Sequence, residues 1–283
     1  MHLGHARTAL VAWLRARQRD GRIVMRIEDI DTPRVVPGSA DAICRDHEWL
    51  GLTWDEGPVY QSSRGVSYEA ALQRLVDDGR VYPCTCSRKE IAAIASAPHG
   101  DEGPRYPGTC RNGPTHPERP AALRFRFDDP SPGFDDVIAG TYPAGAIEGD
   151  FVLRRADGVW AYQLAVVVDD AEQRITEVIR GADLLSSTPR QIALYRALGH
   201  DVPAFAHVGL VVDSDGTRLS KRHGATAIAA LRESGKGPEE VIGALAHSLG
   251  LVASSAPIRP EELVSGFSLQ QISASSLTWD TEG

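Results

Sequence analysis

The sequence predicts an α/β fold: a parallel sheet with crossover helices, an insertion carrying its own small β structure, and a short helical tail. Three observations predict it. Strand and helix patterns alternate over the first eighty residues. The pattern lapses near residue 81 into a stretch rich in Pro, Gly and Cys. It then resumes and stops about sixty residues before the end. The expected divisions are 1–80 and 161–224 for the two halves of the sheet domain, 81–160 for the insertion and 225–283 for the tail.

The elements follow in order. Residues 6–20 carry Leu10, Trp13 and Leu14 on one helical face, and Gly21 ends the run. RIVMRI (22–27) alternates as a strand and leads into the acidic loop EDID. Helices are expected over 39–50 and 66–78, the second closed by Gly79. Ala40, Ile43, Cys44 and His47 share one face of the first, which places Cys44 in the core. After VYPCTC, Ser87 and Glu90 form a capping box for a short helix. Residues 122–127, 150–155 and 159–168 are strand-like. ITEVIR (175–180) is a strand. Thr188, Pro189 and Gln191 supply an N-cap, a first-turn proline and a capping-box glutamine for a helix running to Gly199. AHVGLVV (206–212) is a strand with DSDG as its turn, and two helices near 226–234 and 238–249 make the tail.

Composition narrows the function classes. The chain has 283 residues, 42% apolar and 24% charged, with a net charge of −8. No global positive field draws in nucleic acid, so such a partner would rely on local arginines. The only lysines are Lys89, Lys221 and Lys236. No apolar run approaches a membrane span and no signal peptide precedes the first helix, so a cytoplasmic protein without a membrane partner is expected.

Three stretches carry chemistry. In HLGH (2–5), His2 and His5 stand three apart at a helix start, where free N–H groups and the helix dipole favour an anion. Gly4 leaves room for a base or phosphate against the backbone. In TRLSKRHG (217–224), Lys221 and Ser220 sit in a loop after a strand, where a lysine can close over phosphates. Cys84 and Cys86 on one turn and Cys110 across a loop make three soft ligands suited to tetrahedral zinc. The fourth ligand is Tyr106, His99 or His116.

The pairing of HxGH at the first helix with an LSK loop after the last parallel strand resembles the class I aminoacyl-tRNA synthetases. RIEDIDTPR (26–34), YQLAVVVDD and VIRGADLLSSTPRQI (178–192) resemble their glutamyl-tRNA synthetase group, and the resemblance covers most of residues 2–224. It implies a Rossmann-type sheet that binds ATP at the carboxyl ends of its strands. His2, His5 and Lys221 would stabilise charge on the α-phosphate. His2, Gly4, His5, Leu219, Ser220 and Lys221 would hold ATP, with Mg²⁺ on its phosphates. Glu28, Tyr162 and Arg180 would line the amino-acid pocket, Glu28 holding the α-ammonium and Arg180 forking the glutamate side-chain carboxylate.

The Cys-x-Cys…Tyr-x-x-x-Cys arrangement resembles a short branch of that group in which a tyrosine completes one structural zinc site. Members of that branch transfer glutamate to queuosine in the anticodon of tRNA(Asp). The brevity of the tail fits the branch, and a monomer is expected. The alternatives are a catalytic domain charging tRNA(Glu) and an inactive zinc-containing tRNA-binding relative. In the family a strand and loop precede HxGH and supply the sheet's central strand. The expectation is that the natural protein carries roughly fifteen to twenty residues ahead of Met1, because without them the neighbouring strands lose a ladder partner. The competing expectation is a shortened, inactive relic.

Overall fold

The computed structural model of the chain describes residues 1–31, 34–94, 105–127, 130–212 and 227–278. Helix α1 (Leu3–Gln18) begins earlier than its apolar pattern suggests, with His2 at its N-cap. Leu3, Ala6, Leu10, Val11 and Leu14 form its buried face. Strand β1 (Val24–Ile27), helix α2 (Ser39–Trp49) and strand β2 (Glu56–Tyr60) follow, and β1 pairs with β2 in parallel. The sequence reading misses β2, because Gly57 and Pro58 argue against a strand and β2 pairs on one side only.

The expected inner face of α2 is also corrected. Ile43 is 38% exposed and Cys44 only partly buried. The inward side chain is Asp46, whose carboxylate takes the Met1 ammonium at 2.6 Å. A buried charge is tolerated there because its partner is buried with it.

Helix α3 (Gly65–Asp77), strand β3 (Val81–Cys84) and helix α4 (Arg88–Ile94) come next. The capping box forms as expected: Glu90 N–H donates to Ser87 Oγ at 3.2 Å, and Ser87 N–H to the Glu90 carboxylate at 2.7 Å. Strands β4 (Ala122–Phe125), β5 (Phe134–Asp136), β6 (Gly140–Tyr142) and β7 (Phe151–Arg154) follow. An antiparallel sheet runs β3-β4-β7, while β5 and β6 form a hairpin that joins a different sheet.

Residues 162–172 are not a strand but helix α5 (Tyr162–Glu172). Seven consecutive residues, Leu164–Asp170, are buried, so the helix is enclosed on all sides. A helix buried all round shows no amphipathic period, and its valine run then reads as a strand. Strand β8 (Glu177–Gly181) leads through a 3-10 turn (Ala182–Ser187) into helix α6 (Thr188–Ala197). Ser187, not Thr188, holds the N-cap, and no side chain caps this helix. The Thr188 and Gln191 side chains bond to Arg180 and Gln163 instead.

Strands β9 (Ala204–Val208) and β10 (Val211–Val212) split the expected strand at Gly209. A Cβ at Gly209 would lie 1.9 Å from Ser275 O, so only glycine lets the C-terminal segment cross here. Helices α7 (Ile228–Glu233), α8 (Pro238–Ser248) and α9 (Pro260–Leu263) and strand β11 (Leu277–Thr278) complete the chain. Leu10 and Leu14 of α1 share one core with Val241, Ile242 and Leu245 of α8. A second core joins α3, α5 and α6 to β4, β7 and β9. No described helix is long and apolar enough to cross a membrane.

The parallel pairings fall into three sheets among the described residues: β1-β2, β10-β11 and β6-β5-β9-β8, in the last of which β9 pairs in parallel with both β8 and β5. Between β1 and β8 lies a groove of about 1390 Å³. Consecutive residues of both strands line it, Val24 to Arg26 and Glu177 to Arg180. Successive strand side chains point to opposite faces, so both strands turn their hydrogen-bonding edges to the groove. Helices α1 and α5 form its other walls.

Candidate active site and metal centre

The three residues expected in an amino-acid pocket meet on this groove. Glu28 follows the carboxyl end of β1, Arg180 lies near the carboxyl end of β8, and Tyr162 opens α5. Ligands of open α/β sheets bind beyond the carboxyl ends of the strands. Partial desolvation in the groove raises the Glu28 carboxyl above its ordinary range, although its side chain is 47% exposed, against the opposing pull of Arg26, 3.7 Å away. Burial also raises the Tyr162 phenol, and the Glu28 charge adds to that while Arg180 opposes it.

Arg180 is held on nearly every side. Its Nε–H donates to His207 Nε2 at 3.0 Å, and Nη2 donates to Thr188 Oγ1 at 2.8 Å and Leu184 O at 3.4 Å. Nη1 donates to the Tyr162 hydroxyl oxygen at 3.4 Å. Of the five guanidinium N–H bonds, these partners leave one on Nη1 among the described residues. The expected two-pronged fork is therefore already engaged by protein. The remaining N–H is on Nη1, beside the hydroxyl of Tyr162, and both residues line the groove.

Behind Arg180, His207 and Asp136 are both fully buried and 2.5 Å apart at Nδ1 and Oδ2. Burial holds the imidazole below its ordinary 6.5, although Asp136 opposes this. Burial pushes the Asp136 carboxyl up, but hydrogen bonds from His207 and the Ala139 N–H outweigh it and hold it below 3.8. Both shifts act in one direction. The unfolded chain binds a proton at His207 first, so stability falls as pH drops below about 6.5. The Asp136 contribution, present above 3.8, is lost as pH drops further through its folded value. Urea unfolding between pH 8 and 3 should show both losses, and His207→Gln should remove the first.

Beside the pocket lies a network that sequence reasoning missed. Asp169 accepts from Gln61 at 2.7 Å, Tyr68 at 2.9 Å and Arg64. Asp170 pairs with Arg26 at 2.7 Å and Tyr195 at 3.0 Å. Two carboxylates inside an otherwise apolar run were the signal available, since buried acids require partners.

None of the HLGH residues lines the groove, which begins on α1 at Ala9. His2 and His5 have ring centroids 6.1 Å apart, and the His5 charge reaches His47, which lines the groove. A Cβ at Gly4 would come no closer than 4.0 Å to Val211. Leu219, Ser220 and Lys221 lie outside the described residues.

In the insertion, the Cys84, Cys86 and Cys110 sulfurs lie within 4.8 Å of one another, with Cys86 and Cys110 at 3.5 Å. Tetrahedral zinc–thiolate bonds of about 2.3 Å put sulfurs about 3.8 Å apart, so the cluster has the right size for a metal. The Tyr106 hydroxyl stands 3.3 Å from Cys84 Sγ and 3.8 Å from Cys86 Sγ. Burial pushes the Cys110 thiol up, but N–H groups of Thr115 and Thr85 and hydroxyls of Thr115 and Tyr106 outweigh it and hold it at about 5. A thiolate is the ligating form. Of the competing fourth ligands, His116 pairs with Glu90 and Glu118 at the surface, and His99 lies outside the described residues.

Comparison with known proteins gives a consistent set of relatives. Residues 1–281 match the family model for tRNA synthetases class I (E and Q), catalytic domain. A glutamyl-Q tRNA(Asp) synthetase of Symbiobacterium thermophilum is 54% identical, over 96% of this chain and 90% of its own length. A glutamate–tRNA ligase of Geotalea uraniireducens is 43% identical over 98% of this chain but only 60% of its own length. The crystal structure of a glutamate–tRNA synthetase from Elizabethkingia anophelis superposes with a TM-score of 0.84 at 28% identity, covering all of this chain and 66% of that one.

Proposed function

Since the chain belongs to the class I tRNA synthetases of the glutamyl and glutaminyl type, we propose that it activates glutamate with ATP and transfers it to queuosine in the anticodon of tRNA(Asp). The observation that carries the amino-acid reading is the convergence of Glu28, Tyr162 and Arg180 on one groove at strand carboxyl ends. Nη1 of Arg180 and the Tyr162 hydroxyl offer two donors to the side-chain carboxylate, and Glu28 offers an acceptor to the α-ammonium. The choice of RNA rests on the relatives. Those named for tRNA(Asp) at 46–54% identity are spanned over 75–90% of their length, against 60% for the glutamate–tRNA ligase.

In the first step the α-carboxylate of glutamate attacks the α-phosphorus of ATP, and the bond to pyrophosphate breaks. His2, His5 and Lys221 stabilise the developing charge, with Mg²⁺ on the phosphates. Gly4, Leu219 and Ser220 complete the ATP site. In the second step a hydroxyl of queuosine attacks the glutamyl carbonyl and AMP leaves.

One structural zinc on Cys84, Cys86, Cys110 and Tyr106 shapes the insertion. Four protein ligands leave no open position for chemistry.

Glutamate-dependent ATP–pyrophosphate exchange, run with and without tRNA, tests the first step. Transfer of labelled glutamate to tRNA(Asp) with and without queuosine tests the second. Exchange without tRNA and labelling only of the queuosine-bearing tRNA are expected. Labelling of tRNA(Glu) instead would overturn the choice of acceptor.

A further inference from the structure

We propose that Asp136 and His207 are positioning residues that fix the Arg180 guanidinium in the one orientation that turns Nη1 to the amino-acid pocket. The substrate in this inference rests on the glutamate reading above, but the geometry does not. Arg180 could rotate about its long side chain unless its inner edge is pinned. The pin is His207 Nε2, which accepts from Arg180 Nε–H at 3.0 Å. An imidazole nitrogen accepts only when it carries no proton, so the ring must be neutral and protonated at Nδ1. Asp136 imposes that tautomer: its Oδ2 lies 2.5 Å from Nδ1, and its Oδ1 is fixed by the N–H groups of His207, Ile138 and Ala139.

The three residues come from β5, β9 and β8, strands that pair side by side. Register therefore sets the relay, with Arg180 directly opposite His207 and Asp136 opposite Phe205. The other groups against the ring are the Thr188 hydroxyl at 3.3 Å, the rings of Phe134 and Phe205, and the charge of Asp183. Arg180 is a cation whose charge acts on His207, and neutrality is favoured because a protonated ring would oppose it in a dry site.

Long-range proton–nitrogen correlation spectra of the unaltered chain near pH 7 read the tautomer directly, without substrate. The expected result is a proton on His207 Nδ1 and none on Nε2. A proton on Nε2, or on both nitrogens, would set donor against donor and overturn the proposal. Asp136→Asn is expected to admit the other tautomer in the same spectra.

Kinetics supplies the second readout. His207→Leu should raise the glutamate KM roughly ten- to hundred-fold, the cost of one hydrogen bond to a charged group, with the ATP KM unchanged. His207→Gln, whose side-chain oxygen can still accept from Nε–H, should recover most of that loss. Equal rises in both KM values, or no recovery with Gln, would reduce the pair to a structural role and overturn the proposal. If the unaltered chain shows no glutamate-dependent exchange, the glutamate reading falls and the tautomer alone decides the positioning role.

Discussion

Arg180→Lys is expected to raise the glutamate KM about hundred-fold or more while leaving the ATP KM nearly unchanged. The charge survives but the geometry does not. A lysine ammonium is a compact point donor and cannot reach His207, Thr188, Leu184 and Tyr162 together. His207 and Thr188 would lose the donor they accept from in a buried place. Each lost hydrogen bond to a charged group costs about 1.5–3 kcal/mol, and about 1.4 kcal/mol is tenfold. Two such losses give a factor of about a hundred to ten thousand. Exchange kinetics against each substrate in turn would check it. An unchanged glutamate KM would remove Arg180 from the amino-acid pocket.

Removing the metal should produce the second large effect, on stability rather than activation. One zinc per chain is expected by elemental analysis, lost on chelation or on Cys110→Ser. Three sulfurs and a phenol within a few ångströms then keep no common partner, and the cost should be several kcal/mol, below the ~10–16 kcal/mol measured for structural zinc in isolated peptides. It should fall on the segment between Thr85 and Thr115, seen as new proteolytic cleavage there. Amino-acid activation should survive, because Glu28, Tyr162 and Arg180 sit on a separate groove. Tyr106→Phe should weaken zinc retention without abolishing it, since three thiolates remain. Full retention in that variant would exclude Tyr106 as a ligand.

Legibility differed element by element, for physical reasons. α1, α3 and α8 lie at the protein surface and show it as one-sided apolar spacing. α5 does not, because enclosure on every side erases the period. β2 was hidden by Gly57 and Pro58, which an edge position tolerates. Asp46 turns to the inner side of α2, where Arg232 approaches to 3.5 Å from 186 positions away, a pairing that local spacing cannot encode.

The sequence alone determined the chemistry available. HLGH, Glu28, Tyr162, Arg180 and the Cys84, Cys86, Cys110 set with Tyr106 are short motifs whose residue types carry their meaning locally. The tertiary structure decided which of those groups meet and what each has left to offer. It brought Glu28, Tyr162 and Arg180 to one groove from β1, α5 and β8. It also occupied most of the Arg180 fork with His207, Thr188 and Leu184, and it set Asp136 behind His207. Those partners lie between 4 and 71 positions apart in the chain. A hydrogen bond depends on ångström distances that sheet register and helix packing alone establish, so no reading of residue order could assign it.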